Sequence, residues 1–251
     1  MLPAQRAYGA LIEAWGPDVQ AVAKNLELYA GNEPPPVWSL DTEAGGVLGQ
    51  AGVRGWEAFH LVGYSGGGGA ALAFAANHPG RLLSLALLEL TWAGSWGWSP
   101  AHARLWKQYE QLEALPPGEF MPAFVRLGVL PDVVLPPSPP DPPPPRMAKR
   151  PAGINAFLQT VTTYDLKRAR LAAFAQPVLF VLGGQSNPDD YAEVTDGRKQ
   201  LTSAEGARPI GSWPATAERS GSAAPPRSRH TTRNMPLRAS SVPAGFDMKR
   251  S

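Results

Sequence analysis

Cysteine is absent from the chain. Disulfides, thiolate zinc sites and a cysteine nucleophile are therefore excluded. Histidine is scarce: His60, His78, His102 and His230 are the four present, so any imidazole chemistry must come from them. No run of about 18 apolar residues occurs, and no transmembrane helix is expected. The opening residues, MLPAQRAYGALIEAWG, lack a basic start followed by an apolar run, so no signal peptide is read there and a cytoplasmic location is the expectation. A charge excess of one sign is missing too, since the net charge is only +2. That balance hides an asymmetry. Residues 1–193 carry 13 basic and 17 acidic side chains, and residues 194–251 carry 10 and 4. The pI of about 9.0 is thus a property of the tail, and the body gives no reason to expect nucleic acid.

What is present suits one domain of 251 residues with an ordinary core. Residues 4–24 read as an amphipathic helix with Leu11, Trp15, Val19 and Val22 at helical spacing, and with Gly16-Pro17 as a possible fresh turn inside it. Asn25 to Tyr29 reads as a short strand, and residues 40–56 as a glycine-weakened helix. Ala101 to Leu115 and Pro117 to Leu130 read as helices. Leu105, Tyr109, Leu112 and Leu115 are core candidates in the first, and Met121, Phe124, Val125 and Val129 in the second. Nine prolines lie between Pro131 and Pro145, and each removes an amide donor, so an extended surface loop is expected there. Helices resume at Ile154 to Thr162 and Leu166 to Ala175, and Pro177 to Leu182 reads as a buried strand. Residues 194–251 hold 17 apolar residues in 58 with no periodicity. No strand is read in this basic, low-complexity tail, and disorder is expected.

The informative stretch is residues 58–90, AFHLVGYSGGGGAALAFAANHPGRLLSLALLEL. An apolar strand from Phe59 runs into Gly63-Tyr64-Ser65-Gly66-Gly67, a small-residue helix to Asn77 follows, and a second strand spans Leu83 to Leu88. This is G-x-S-x-G in its strand–turn–helix setting. Such a turn strains Ser65 and lifts its hydroxyl to the top of a sheet. A side chain at Gly63 or Gly67 would collide with the adjacent strand or helix. The run Gly66 to Ala71 lets the helix approach the sheet and leaves the Gly66 amide facing any developing oxyanion.

HLVGYSGGG, the helix ending NHPGR and the strand LLSLALLEL resemble the α/β-hydrolase superfamily, over about residues 10–193. The resemblance implies a mostly parallel sheet flanked by helices, with a helical cap over about residues 95–175. It implies Ser65 as nucleophile toward an ester- or amide-like carbonyl of a small molecule, with Gly66 as oxyanion donor. It implies no metal or organic cofactor, no membrane and no nucleic-acid partner. Dehalogenation is the least expected chemistry, because its nucleophile is a carboxylate. Relatives open with further strands and a His-Gly loop that gives the second oxyanion donor, and no such segment is read here. The triad acid has two candidate places. Glu89 ends the strand after the nucleophile strand. Asp189 and Asp190 follow the strand that in the family ends in the acidic loop, where this chain has Ser186 or Asn187. For the base, His230 has the right chain order but no supporting strand; His60 and His78 read as packing residues. Trp92, Trp96 and Trp98 read either as a pocket lining or as anchors of the cap to the core. The alternative function is a catalytically inactive chain, truncated or changed in reading frame near residue 193, that at most binds a ligand or partner.

Overall fold

The structure, a computed structural model, describes residues 4–95, 98–135, 137, 150–191 and 246–250. Five strands form one sheet: β1 (Val19–Ala23), β2 (Phe59–Tyr64), β3 (Leu82–Leu88), β4 (Val178–Val181) and β5 (Phe246–Arg250). Their order is β1-β5-β2-β3-β4. β2, β3 and β4 run parallel, and β5 is antiparallel to both of its neighbours, β1 and β2. The mostly parallel sheet expected from sequence is therefore what forms.

The strands sort their side chains by alternation. Phe59 and Leu61 of β2, with Leu85 and Leu87 of β3, face α2 (Leu40–Val53) and α3 (Gly66–Asn77). Val62, Tyr64, Ala86 and Leu88 face α1 (Ala4–Trp15), whose Tyr8 is fully buried against them. A three-layer sandwich of helix, sheet and helix results. Ser39 caps α2 reciprocally with Thr42, which offsets the poor helix propensity of its glycines.

Two early assignments change. The helix read over residues 4–24 stops at Trp15, because Gly16 takes a left-handed φ of 77° and Pro17 follows it. Val19 and Val22 then belong to β1, where β-branched side chains suit the pleat. The strand read at Asn25 to Tyr29 is instead a loop with a single 3₁₀ turn, Glu27–Tyr29. Its amides are diverted from any sheet ladder. Glu27 N–H and Leu28 N–H donate to the Glu43 carboxylate at 2.8 and 2.9 Å.

Between β3 and β4 the chain makes a helical excursion: α4 (Pro100–Gln111), α5 (Pro117–Leu127), α6 (Arg150–Val161) and α7 (Arg168–Ala172). Leu105, Trp106, Tyr109 and Leu112 are buried as the helical spacing requires. In α5 the fully buried residue is Phe120, stacked on Phe124, while Val125 is 37% exposed. Of the candidates read there, Met121 and Phe124 do pack against the core, while Val129 falls beyond the helix, which ends at Leu127. Most of the proline-rich loop lies outside the described residues. So does most of the tail, including His230. The exception corrects the reading of that tail: Phe246–Arg250 is a strand, and it occupies the gap between β1 and β2. A strand with sheet neighbours on both sides satisfies its amides without the alternating apolar pattern by which strands are found in sequence.

All six tyrosines have phenols raised above the ordinary value, with burial the first cause in each. Tyr29 and Tyr64 are pushed up to about 12. The unfolded chain ionises its tyrosines near pH 10. Stability from these groups is therefore present below about pH 10 and lost as pH rises toward about 12. An absorbance titration should show little phenolate until the fold opens, and a full phenolate signal at about pH 10 in a folded chain would contradict this.

Candidate active site

Ser65 joins β2 to α3 with φ 51° and ψ −125°, a left-handed conformation that a serine adopts only when its surroundings enforce it. The enforcing bonds are specific. Ser65 N–H donates to Leu88 O at 3.1 Å, and Thr91 N–H donates to Ser65 O at 3.0 Å. Gly68 and Gly69 amides return to the same carbonyl at 2.8 and 3.3 Å. The serine is thus held between the end of β3 and the first turn of α3.

Close approach explains the glycines. A Cβ on Gly63 would lie 2.4 Å from Gly67 O, and one on Gly68 would lie 2.4 Å from Leu90 Cβ. Neither can be relieved by moving a flexible side-chain tip. The Gly66 amide donates to no described residue, as expected for a first-turn N–H at a helix start. Phe157 of α6 lies against Gly66, with its ring edge 3.0 Å from where a Cβ would stand. Behind Phe157 is Trp38, with ring centroids 5.6 Å apart.

Glu89 follows β3 directly and has φ 42°, the other positive value outside glycine among the described residues. Its N–H donates to Val181 O at 2.8 Å. Its Oε1 accepts from Gly183 N–H at 3.1 Å and from the Ser186 hydroxyl. Burial, and next the negative charge of this carboxylate, raises the phenol of Tyr64, the residue before Ser65. Glu89 reaches across from β3 to Ser186 in the loop after β4. Asp190 is engaged elsewhere: its Oδ2 accepts from Tyr109 of α4 at 2.7 Å. Asp189 is exposed in a 3₁₀ turn capped by the Asn187 side chain.

The described histidines have other settings. His60 Nδ1 pairs with Ser84 Oγ at 2.7 Å, part-way along β2. His78 caps the far end of α3 and packs on Phe74 at 4.9 Å. That end is about 18 Å from Ser65 along a 12-residue helix. His102 is 2% exposed and lies in an aromatic cluster with Trp98, at 4.6 Å, and Trp106, at 6.0 Å, in the excursion. The Ser65 hydroxyl hydrogen-bonds to no described residue. Trp92 is buried in the core and Trp98 belongs to the aromatic stack, so these two anchor the excursion; Trp96 lies outside the described residues. No cluster of three or more potential metal-binding side chains occurs among the described residues, and none of their helices is long and apolar enough to cross a membrane.

Sequence reading did not single out Tyr64, Phe157 or Trp38 as neighbours of the elbow. Tyr64 sits inside the motif at its variable position, so its identity carried no signal. Phe157 and Trp38 come from segments whose local pattern says only that they are apolar.

Among solved structures, the chain is similar to a hydrolase from Pseudomonas aeruginosa PA01, with 21% identity and a TM-score of 0.50 over 72% of this chain and 66% of that one. It is also similar to a membrane phospholipase A, with 23% identity and a TM-score of 0.48 over 68% of this chain and 55% of that one. A third is an α/β hydrolase from Sphaerobacter thermophilus DSM 20745, with 19% identity and a TM-score of 0.42 over 70% and 67% of the two chains. No family model matches, and no curated protein does. The chain spans less than two thirds of the length of the first two structures. The chain has the α/β-hydrolase fold.

Proposed function

We propose that this α/β-hydrolase-fold chain is a hydrolase in which Ser65 attacks the carbonyl carbon of an ester- or amide-like small molecule. The observation that supports it is the backbone of Ser65: a left-handed serine between a parallel strand and a glycine-rich helix start, fixed by four backbone hydrogen bonds. Strain of this kind costs about 1–3 kcal/mol and collects at functional positions. In the reaction, the Ser65 oxygen bonds to the carbonyl carbon, and the carbonyl oxygen takes the negative charge beside the Gly66 amide. Collapse expels the alcohol or amine, and water then releases the acid from the acylated serine. A general base must take the serine proton and deliver it to the leaving group. The resemblance gives that task to a histidine held by an acid. Glu89 is the acid favoured by its carboxylate's position, and Asp189 and Asp190 are the alternatives. His230 is the candidate base. Phe157 against Gly66 supports reading the excursion as a cap over the site.

A second reading, an inactive chain that binds a ligand or partner, is favoured by one observation. Each of His60, His78 and His102 is set in packing or pairing away from the elbow. A fluorophosphonate probe separates the two. Labelling of the wild type but not of Ser65→Ala is expected. A folded wild type that resists the probe would establish the inactive reading instead. Loss of labelling in His230→Ala would identify the base.

A further inference from the structure

The helix α5 ends at Leu127 in a way its own sequence cannot complete. The helical partner of Leu127 O would be the N–H of residue 131, which is Pro131 and has none. The loop after β4 supplies the donors. Asn187 Nδ2–H donates to Leu127 O at 2.8 Å, and Asn187 N–H donates to Gly128 O at 3.0 Å. Leu130 N–H donates to Gln185 O at 2.9 Å, and Val129 and Ser186 form an antiparallel bridge. Asn187 also accepts, through Oδ1, from Asp189 N–H at 3.0 Å. A carbonyl only accepts and an amide N–H only donates, so these two partners fix which way the Asn187 side chain points.

The clamped residues adjoin those that hold Glu89. Ser186, which donates its hydroxyl to Glu89 Oε1, lies between Gln185 and Asn187. Gly183 N–H reaches the same oxygen at 3.1 Å, and Ser186 N–H closes the turn onto Gly183 O at 3.2 Å. Contact therefore runs unbroken from the end of α5, through Asn187 and Ser186, to the carboxylate at the end of β3.

We propose that Asn187 is a positioning residue: by tying the loop after β4 to the end of α5, it keeps Ser186 and Gly183 on Glu89 and so sets the orientation of the carboxylate. The proposal rests on the reading of Ser65 as nucleophile and Glu89 as its acid. The resemblance places an aspartate at Ser186 or Asn187, and the competing role for residue 187 is that of the acid's own place. Asn187→Asp separates the two. It keeps the acceptor for Asp189 N–H, loses the donor to Leu127 O, and sets a negative oxygen against that carbonyl. A clamp is broken by this change, whereas an acid's place is filled by it.

The test measures fluorophosphonate labelling of Ser65 and amide hydrogen exchange at Gly183 in the full chain. The variants are Asn187→Asp and Asn187→Ala, each alone and combined with Glu89→Gln. Alone, both should slow labelling about 10- to 100-fold, the scale of a misplaced reacting group. Both should also speed Gly183 exchange by about tenfold or more, with exchange at Leu85 and Leu87 of β3 unchanged. In the Glu89→Gln background they should slow labelling by less than about twofold further, because the group they orient is gone. Equal slowing in both backgrounds is the mark of a role in stability alone, and it overturns the proposal. So does unchanged Gly183 exchange, or faster labelling in Asn187→Asp. If the wild type resists the probe, the nucleophile reading fails; if Glu89→Gln labels at the wild-type rate, the acid reading fails. In either case the exchange data decide the clamp: faster Gly183 exchange in Asn187→Ala upholds it, and unchanged exchange overturns it.

Discussion

Replacing Glu43 by glutamine is expected to destabilise the fold by about 3–5 kcal/mol. Glu43 is 1% exposed, and its two oxygens hold four donors. Oε1 accepts from Leu28 N–H at 2.9 Å and Trp38 Nε1–H at 2.8 Å; Oε2 accepts from Glu27 N–H at 2.8 Å and Lys24 Nζ at 3.5 Å. An amide keeps one of these oxygens and turns the other into a donor. Two donor groups then face a third with no acceptor between them, and Lys24 keeps only its 2.9 Å pair with Glu27. Burying unpaired donors costs about 1–3 kcal/mol each. For a domain of this size the loss should lower the melting temperature by about 6–20 °C. Trp38→Phe, which removes a single donor and leaves the carboxylate intact, should cost only about 1 kcal/mol. The effect should also reach the site. Glu43 fixes the loop that carries Trp38, Trp38 packs on Phe157, and Phe157 lies against Gly66. Fluorophosphonate labelling of folded Glu43→Gln should therefore be slower than in the wild type. Urea unfolding of Glu43→Gln that differs from wild type by less than about 1 kcal/mol would show that the loop is held by its packing alone.

The elbow was legible in the sequence because its requirements are local. Gly63 must clear Gly67, and the helix after Ser65 must be lined by small residues, all within one short stretch. The parallel sheet followed from that unit and from the apolar runs on either side. Legibility ended where a residue's partner lies far along the chain. Val19 and Val22 fit a helical spacing and an extended strand equally well, and only pairing with β5 decides between them. The 3₁₀ turn at Glu27–Tyr29 exists because a carboxylate from α2 takes its amides. The contact between Glu89 and the loop after β4 is hidden from the sequence for the same reason. Glu89 and Ser186 are 97 residues apart, and adjacency of β3 and β4 brings them into contact. The base is a different case: the candidate with the right chain order, His230, falls outside the described residues.

If the proposed mechanism holds with Glu89 as its acid, Glu89→Gln should slow acylation of Ser65 by about 10³- to 10⁴-fold, the usual penalty for removing a triad acid. The carboxylate is already oriented for the task. Gly183 N–H and the Ser186 hydroxyl hold it on one side, at the carboxyl end of β3, beside the strand that leads into Ser65. Its backbone at φ 42° is strained, and a residue kept only for packing gains nothing from that cost. Glutamine retains the length and the backbone while removing the charge that stabilises an imidazolium. The change should therefore fall on the rate of fluorophosphonate labelling far more than on stability. Rescue sharpens the test. The resemblance places an aspartate at Ser186 or Asn187, and Ser186 is the one in contact with Glu89, so adding Ser186→Asp to Glu89→Gln supplies a carboxylate from the loop after the neighbouring strand. That double variant should recover about tenfold or more of the lost rate. In the wild-type background, Ser186→Asp should do harm, because two carboxylates would then share one site and one would be held protonated. Labelling that slows by less than about tenfold in Glu89→Gln would move the acid to Asp189 or Asp190. Of these, Asp190 is tied to Tyr109, so Asp190→Asn should register in stability as well as in rate.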